Sequence, residues 1–76
     1  MAIEKNEALK KAIGERIREL RIKANYTSYE TFALDNDLPR KNYWRLEKGY
    51  NFTIETLLRI VSIHDITLEE FFKGIK

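Results

Sequence analysis

The 76-residue sequence contains no cysteine, one proline, three glycines and one histidine. Without cysteine the chain has neither a disulfide nor a thiolate zinc site, and a reducing compartment is its natural location. No apolar run approaches the roughly 20 residues that span a bilayer, and the N-terminal MAIEKNEALKK lacks the apolar region of a secretory signal. We therefore expect a cytoplasmic protein that makes no membrane contact.

The sequence also lacks the residue patterns of an enzyme or a metalloprotein. No serine stands at a telling distance from a base, and the carboxylates are spread along the chain instead of converging. A cluster of metal ligands is missing as well. His64 follows a predicted helix, where we expect a capping cation or a surface residue. We predict no catalytic residue, no metal and no cofactor.

Apolar residues recur at three- and four-residue steps, which predicts five helices and no strand. A chain of this size buries only roughly 60% of its unfolded surface, so it holds one small core and no deep cleft. The first helix is expected to follow a frayed segment at residues 1–5. The fourth helix is so rich in Ile, Leu and Val that it should be largely buried.

Short polar signals mark the ends of these helices. The expected N-caps are Asn6, Thr27 in a capping box with Glu30, Thr53, and Thr67 in a capping box with Glu70. The expected left-handed stops are Asn25 and Gly49, and Asn36-Asp37 forms a tight turn before Pro39 opens the third helix. Gly14 lies inside the first helix, at a position that a neighbouring helix could approach closely.

Residues 39–48 carry the strongest functional signal. On a helix with 100° per residue, one arc of about 140° holds Arg40, Lys41, Trp44, Arg45 and Lys48. Tyr43, Leu46 and Glu47 lie on the opposite side. Four of the fourteen Lys and Arg residues thus share a single face of a protein whose net charge is only +2. We interpret this arc as a surface for the major groove of DNA, the alternative being a solvated charged face on a structural helical bundle.

The order of these segments resembles the Cro/phage-repressor type of helix-turn-helix domain, the XRE family, over about residues 10–72. The resemblance rests on ERIRELR at the end of the first helix, on Ala33 with Tyr43 and Leu46 ten and thirteen residues later, on LEKG, and on TLLRIVSIHDITLEEFF. It implies a compact, all-α, five-helix domain of the lambda-repressor-like type. Residues 1–76 would form one domain, with the helix-turn-helix at about residues 28–48. Asp37 stands where the family usually has Gly, and Pro39 where it usually has Ser or Thr.

This resemblance implies a sequence-specific double-stranded DNA-binding protein, a transcriptional repressor that reads the major groove with residues 39–48. The implied base contacts are Arg40, Lys41, Trp44 and Arg45, the implied phosphate contacts are Ser28, Tyr29, Lys48, Tyr50 and Asn51, and the implied structural pair is Arg21 with Glu47. Three alternatives stay open at this stage: Trp44 packs against a helix, Ser28 serves only as a cap, and Tyr50 belongs to the core.

The family usually binds a palindromic operator as a homodimer, associated with the nucleoid when bound. We expect the dimer surface on the last two helices, with Ile63, Ile66, Phe72 and Ile75 as candidates. The alternative function is that of an antitoxin, which binds a toxin protein as well as its own operator. A chain of this length fits either function.

Overall fold

The computed structural model describes residues 2–50 and 53–75, and these residues form five α-helices and no strand. They are α1 (Ala2–Lys23), α2 (Tyr29–Asp35), α3 (Arg40–Glu47), α4 (Ile54–Ile63) and α5 (Leu68–Phe72). The Cα radius of gyration is 12.0 Å, close to the about 11 Å expected of a compact chain of this length. The prediction of a compact all-α protein is confirmed.

The predicted start of α1 is wrong. The helix begins at Ala2, so Asn6 lies within it and residues 2–5 are helical instead of frayed. The segment contains Ala, Glu and Lys, which are strong helix formers. An acidic residue in the first turn also stabilises a helix. The last turn of α1 leads into Asn25, whose φ of 72° places it in the expected left-handed conformation.

The cap of α2 is Ser28 and not Thr27. The Ser28 hydroxyl accepts the backbone N–H of Thr31 at 3.2 Å, whereas the prediction paired Thr27 with Glu30. Two adjacent hydroxyls offer the same capping chemistry, and only the folded chain distinguishes them. The remaining caps were predicted correctly, since Thr53 accepts from the backbone of Thr56 and Thr67 forms the capping box with Glu70.

A tight turn joins α2 to α3. Asp37 adopts φ = 58°, the left-handed conformation that usually favours Gly, while Asn36 keeps φ = −107°. The N–H of Leu38 donates to the carbonyl of Ala33 at 2.8 Å and closes the turn. Pro39 is the N-cap of α3 and makes no side-chain cap bond, because it lacks the hydroxyl that accepts one.

The core lies between α1, α2, α3, α4 and α5. Its buried apolar residues are Ile17, Phe32, Ala33, Tyr43, Leu46, Leu57, Ile60, Val61 and Phe71. The expectation that α4 would be largely buried is only partly correct. Leu57, Ile60 and Val61 are buried, but Ile54 is 68% exposed and Leu58 is also exposed. A surface helix keeps only one stripe toward the core, even when its composition is mostly apolar.

His64 is the C-cap residue of α4 and is half-buried. Its ring stacks on Phe32 with 5.3 Å between centroids and 7° between planes, and Phe32 also contacts Tyr26 and Tyr43 at centroid distances of 5.1 and 5.0 Å. Burial lowers the pKa of His64 below its ordinary value, because a buried imidazolium loses its hydration. His64 thus ends α4 as a capping residue, as expected, but its lowered pKa does not favour the expected cation.

Arg16 joins α1 to the end of α5. Its guanidinium donates to the carbonyl of Phe71 and to the carbonyl of Lys73, the latter at 2.8 Å. Helix ends leave carbonyls without intrahelical partners, and a cationic donor satisfies them well. A helix of five residues is thus held at both ends, by the Thr67 capping box and by Arg16.

Candidate nucleic-acid interface

The two sides of α3 differ sharply in burial. Tyr43 and Leu46 are only 1% and 4% exposed and anchor the helix in the core. Burial raises the pKa of the Tyr43 phenol, so this anchor is neutral. On the opposite side Arg40, Lys41, Trp44 and Lys48 are exposed, and Arg45 is partly exposed. The surface formed by Arg40, Lys41, Trp44, Arg45 and Lys48 is called the basic face below.

A buried ion pair holds the C-terminal end of α3 against α1. Arg21 Nε lies 2.7 Å from Glu47 Oε2, and the two side chains are only 6% and 7% exposed. Nη2 of Arg21 donates to Glu47 Oε1 at 3.3 Å and Nη1 donates to the carbonyl of Tyr26 at 2.8 Å. The hydrogen bond to Glu47 raises the pKa of Arg21, so the guanidinium stays charged. The negative charge of Glu47 is neutralised inside the protein and does not offset the basic face.

Gly14 allows α1 and α3 to approach at backbone distance. A Cβ atom at Gly14 would lie 2.7 Å from the carbonyl oxygen of Glu47 and 2.8 Å from the backbone nitrogen of Gly49. Gly49 has φ = 87° and ends α3 in the predicted left-handed conformation. Only a residue without Cβ fits this crossing, which accounts for a glycine in the middle of a long helix.

The turn before α3 is tied to α4 by Arg59. Its Nη2 donates to the carbonyl of Asp37 at 2.9 Å. On the other side of α2, the hydroxyl of Tyr26 donates to Asp35 Oδ2 at 2.9 Å. These bonds fix α2 and the turn relative to the rest of the domain, so that α2 and α3 present their outer sides in a defined arrangement.

Four of the five residues of the basic face line two surface depressions. The first lies between the N-terminal end of α2 and α3, and it is lined by Tyr29, Glu30, Arg40, Lys41 and Trp44; we call it the α2–α3 cleft. The second lies toward α4 and is lined by Asn42, Arg45, Leu46, Thr53 and Thr56. The structure thus brings Arg40, Lys41 and Trp44 together with Tyr29, and it places Arg45 on the other flank.

The exposed side chains of the basic face make two weak contacts. Arg40 Nη1 lies 3.9 Å from Glu30 Oε2, with both side chains more than half exposed at 69% and 56%. Such a pair contributes little to stability and leaves the cation accessible. Lys48 Nζ lies 5.7 Å from the centre of the Trp44 ring, within the range of a cation–π contact. Trp44 is exposed, so the alternative that it fills a gap against a helix is not favoured.

The predicted phosphate contacts other than Lys48 differ in burial and bonding. The Ser28 hydroxyl accepts the Thr31 N–H, and its own hydrogen remains for a second bond, as a hydroxyl both donates and accepts. Tyr29 is half-buried against the core. Tyr50 is 57% exposed, so the alternative that it belongs to the core is wrong. Asn51 lies outside the residues that the structure describes.

Two residues that contact α3 or the turn before it were not predicted from the sequence. Glu30 was assigned to a capping box and instead lines the α2–α3 cleft. Arg59 was assigned no role and instead binds the turn. The sequence carried no signal for Glu30, because the adjacent hydroxyls of Thr27 and Ser28 are equally suited to cap α2. The contact of Arg59 joins residues 22 positions apart, and no local pattern indicates it.

The described residues contain no group of three or more His, Cys, Asp or Glu side chains placed to hold a metal ion. None of the helices that the structure describes has both the length and the apolar composition needed to cross a membrane. Comparison with known proteins found no matching family model, no matching curated protein and no matching solved structure.

Proposed function

We propose that this protein binds double-stranded DNA in a sequence-specific manner and regulates transcription as a lambda-repressor-like helix-turn-helix domain. The observation that carries the proposal is the two-sided character of α3. Tyr43 and Leu46 fix it in the core, and the basic face points outward. The buried Arg21–Glu47 pair holds the C-terminal end of α3 against α1, so the outward orientation of the basic face is fixed.

The dimensions of α3 suit the major groove. An α-helix with its side chains is about 10–12 Å in diameter, and the major groove of B-DNA, about 12 Å wide, admits it. Arg40 and Arg45 would each read guanine O6 and N7 with two parallel hydrogen bonds. Lys41 would read guanine or bind phosphate, and Trp44 would contact a thymine methyl group or the sugar wall of the groove.

Phosphate contacts would fix the register of α3 in the groove. The Ser28 hydroxyl and Tyr29 lie at the start of α2, Lys48 lies at the end of α3, and Tyr50 follows it. Contacts of this kind orient a protein on the duplex without reading sequence. Asn51 is retained in the proposal on the resemblance alone.

A single domain of this size makes few contacts with DNA, and we propose that two copies bind a palindromic operator. The predicted dimer surface needs revision, because Ile63, Ile66 and Ile75 pack against the core. Phe72 remains exposed. The other exposed apolar residues of α4 and α5 are Ile54, Leu58 and Leu68, and these replace the three partly buried isoleucines as candidates for the dimer surface.

Arg40→Ala and Arg45→Ala test the proposed base readout. Each variant is expected to weaken binding to the preferred duplex by about 1–3 kcal/mol, because a bidentate contact with guanine is lost. Binding to an unrelated duplex should change much less. The melting temperature should stay near that of the wild type, since both side chains lie on the outer side of α3.

Arg18→Ala is the matched control, because Arg18 is an exposed cation on α1 and its loss changes the net charge equally. Fluorescence anisotropy measures the affinities for the preferred duplex and for the unrelated duplex. Thermal melting followed by circular dichroism measures the melting temperature. The assignment is wrong if Arg40→Ala and Arg45→Ala behave like Arg18→Ala, or if they lower the melting temperature strongly.

A further inference from the structure

We propose that Glu30 is a specificity-determining residue that positions the Arg40 guanidinium for base readout and opposes its use for phosphate binding. This inference rests on the proposed DNA-binding function. Its starting point is that Glu30 contributes a carboxylate to the α2–α3 cleft, where the other lining side chains are Tyr29, Arg40, Lys41 and Trp44.

The two groups come from different helices and meet across the cleft. Glu30 lies in the first turn of α2 and Arg40 is the first residue of α3, and Glu30 Oε2 is 3.9 Å from Arg40 Nη1. The Ser28 cap fixes the start of α2, and the bond from Arg59 to the Asp37 carbonyl ties the turn between α2 and α3 to α4. The carboxylate is therefore presented to Arg40 from a well-anchored position.

The geometry of the guanidinium explains how the Glu30–Arg40 contact would affect base readout. A guanidinium has five N–H donors in a planar fork, and guanine occupies two of them. A carboxylate close to a nitrogen of the fork that guanine does not use favours the orientations in which the remaining donors face the base. In the free protein the pair is exposed and weak. In the groove, where water is displaced, the attraction strengthens because the local dielectric falls.

The negative charge has a second effect. DNA phosphates repel a carboxylate on the binding surface, so Glu30 weakens binding to every duplex by a similar factor. Where Arg40 meets guanine, the positioning effect compensates for this repulsion. Where no guanine is present, the repulsion remains. Glu30 thus raises the ratio of specific to nonspecific affinity at one base-pair position.

The test compares Glu30→Gln with the wild type in three measurements: the motif selected from a random duplex library, the affinity for the selected duplex relative to a scrambled duplex of equal composition, and the melting temperature. Glu30→Gln should bind the scrambled duplex more tightly, lower the specificity ratio about tenfold, and lose a guanine preference at one position of each half-site, in line with the loss of one bidentate contact.

Glu69→Gln is the matched control. Glu69 lies in the first turn of another short helix, α5, is exposed, and gives the same change in charge. It should leave the motif and the specificity ratio unchanged. In an Arg40→Ala background, Glu30→Gln should no longer alter the motif, because the residue that it positions is absent.

Three results would overturn the inference. The first is a Glu30→Gln variant whose motif and specificity ratio match those of Glu69→Gln. The second is an effect of Glu30→Gln on the motif that persists in the Arg40→Ala background, which would mean that Glu30 reads a base itself. The third is a wild-type protein that selects no motif, which would overturn the DNA-binding proposal at the same time, whereas the first two leave that proposal intact.

Discussion

Glu47→Ala is expected to destabilise the protein by about 3–5 kcal/mol, because it leaves the buried guanidinium of Arg21 without a counter-charge. The two side chains are 6% and 7% exposed, and Arg21 makes two hydrogen bonds to this carboxylate. A protein of 76 residues has a total stability of about 4–11 kcal/mol. The loss therefore amounts to a large part of the free energy of unfolding.

Urea unfolding followed by circular dichroism measures this loss. Glu19→Ala is the matched control, because Glu19 also pairs with an arginine, Arg16 at 3.3 Å, but is mostly exposed; its effect should be below about 1 kcal/mol. The double variant Arg21→Met/Glu47→Leu should recover much of the stability, since it removes both buried charges together. Equal unfolding midpoints for Glu47→Ala and Glu19→Ala would contradict the structural role of the pair.

Gly14→Ala is expected to reduce stability by about 3 kcal/mol, although alanine is the better helix former by about 1 kcal/mol. The added methyl carbon would lie 2.7 Å from the Glu47 carbonyl oxygen and 2.8 Å from the Gly49 nitrogen. Both are backbone atoms at the end of α3, so no side-chain rotation relieves the overlap. Either α1 or α3 has to move away.

The direction of the stability change caused by Gly14→Ala tests whether α1 and α3 cross closely at this position. In an exposed helix the same substitution would raise the midpoint of urea unfolding. Glu15→Ala, at the exposed neighbouring position, should change the stability by no more than about 0.5 kcal/mol. A Gly14→Ala protein that is more stable than the wild type would show that α3 does not approach α1 at this glycine.

Several features that depend on neighbouring residues were predicted correctly from the sequence, although the caps expected at Asn6 and Thr27 were not. The hydroxyl of Thr53 and the Thr67–Glu70 capping box act within one helical turn, and Asn25 and Gly49 take left-handed conformations for reasons internal to the backbone. The division of α3 into a core side and a basic face follows from helical periodicity alone, and the burial of Tyr43 and Leu46 agrees with it.

Features that depend on distant parts of the chain were not predictable in this way. The stacking of His64 on Phe32 brings α2 and the end of α4 together, and the contacts of Arg16 with the end of α5 join residues 55 and 57 positions apart. A helical wheel also treats Arg40 and Arg45 as one group, although α2 flanks the first and α4 flanks the second. Such differences arise from helix packing, which periodicity does not specify.

Selection from a random duplex library at two salt concentrations tests most directly whether the basic face of α3 reads sequence in the major groove. We predict a palindromic motif with half-sites about one helical turn apart. Affinity for this motif should fall steeply with salt, by a slope of about 0.9 per phosphate contact in a double-logarithmic plot. Weak binding without sequence preference at both concentrations would contradict the claim, and it would favour a protein partner, such as a toxin, as the main ligand.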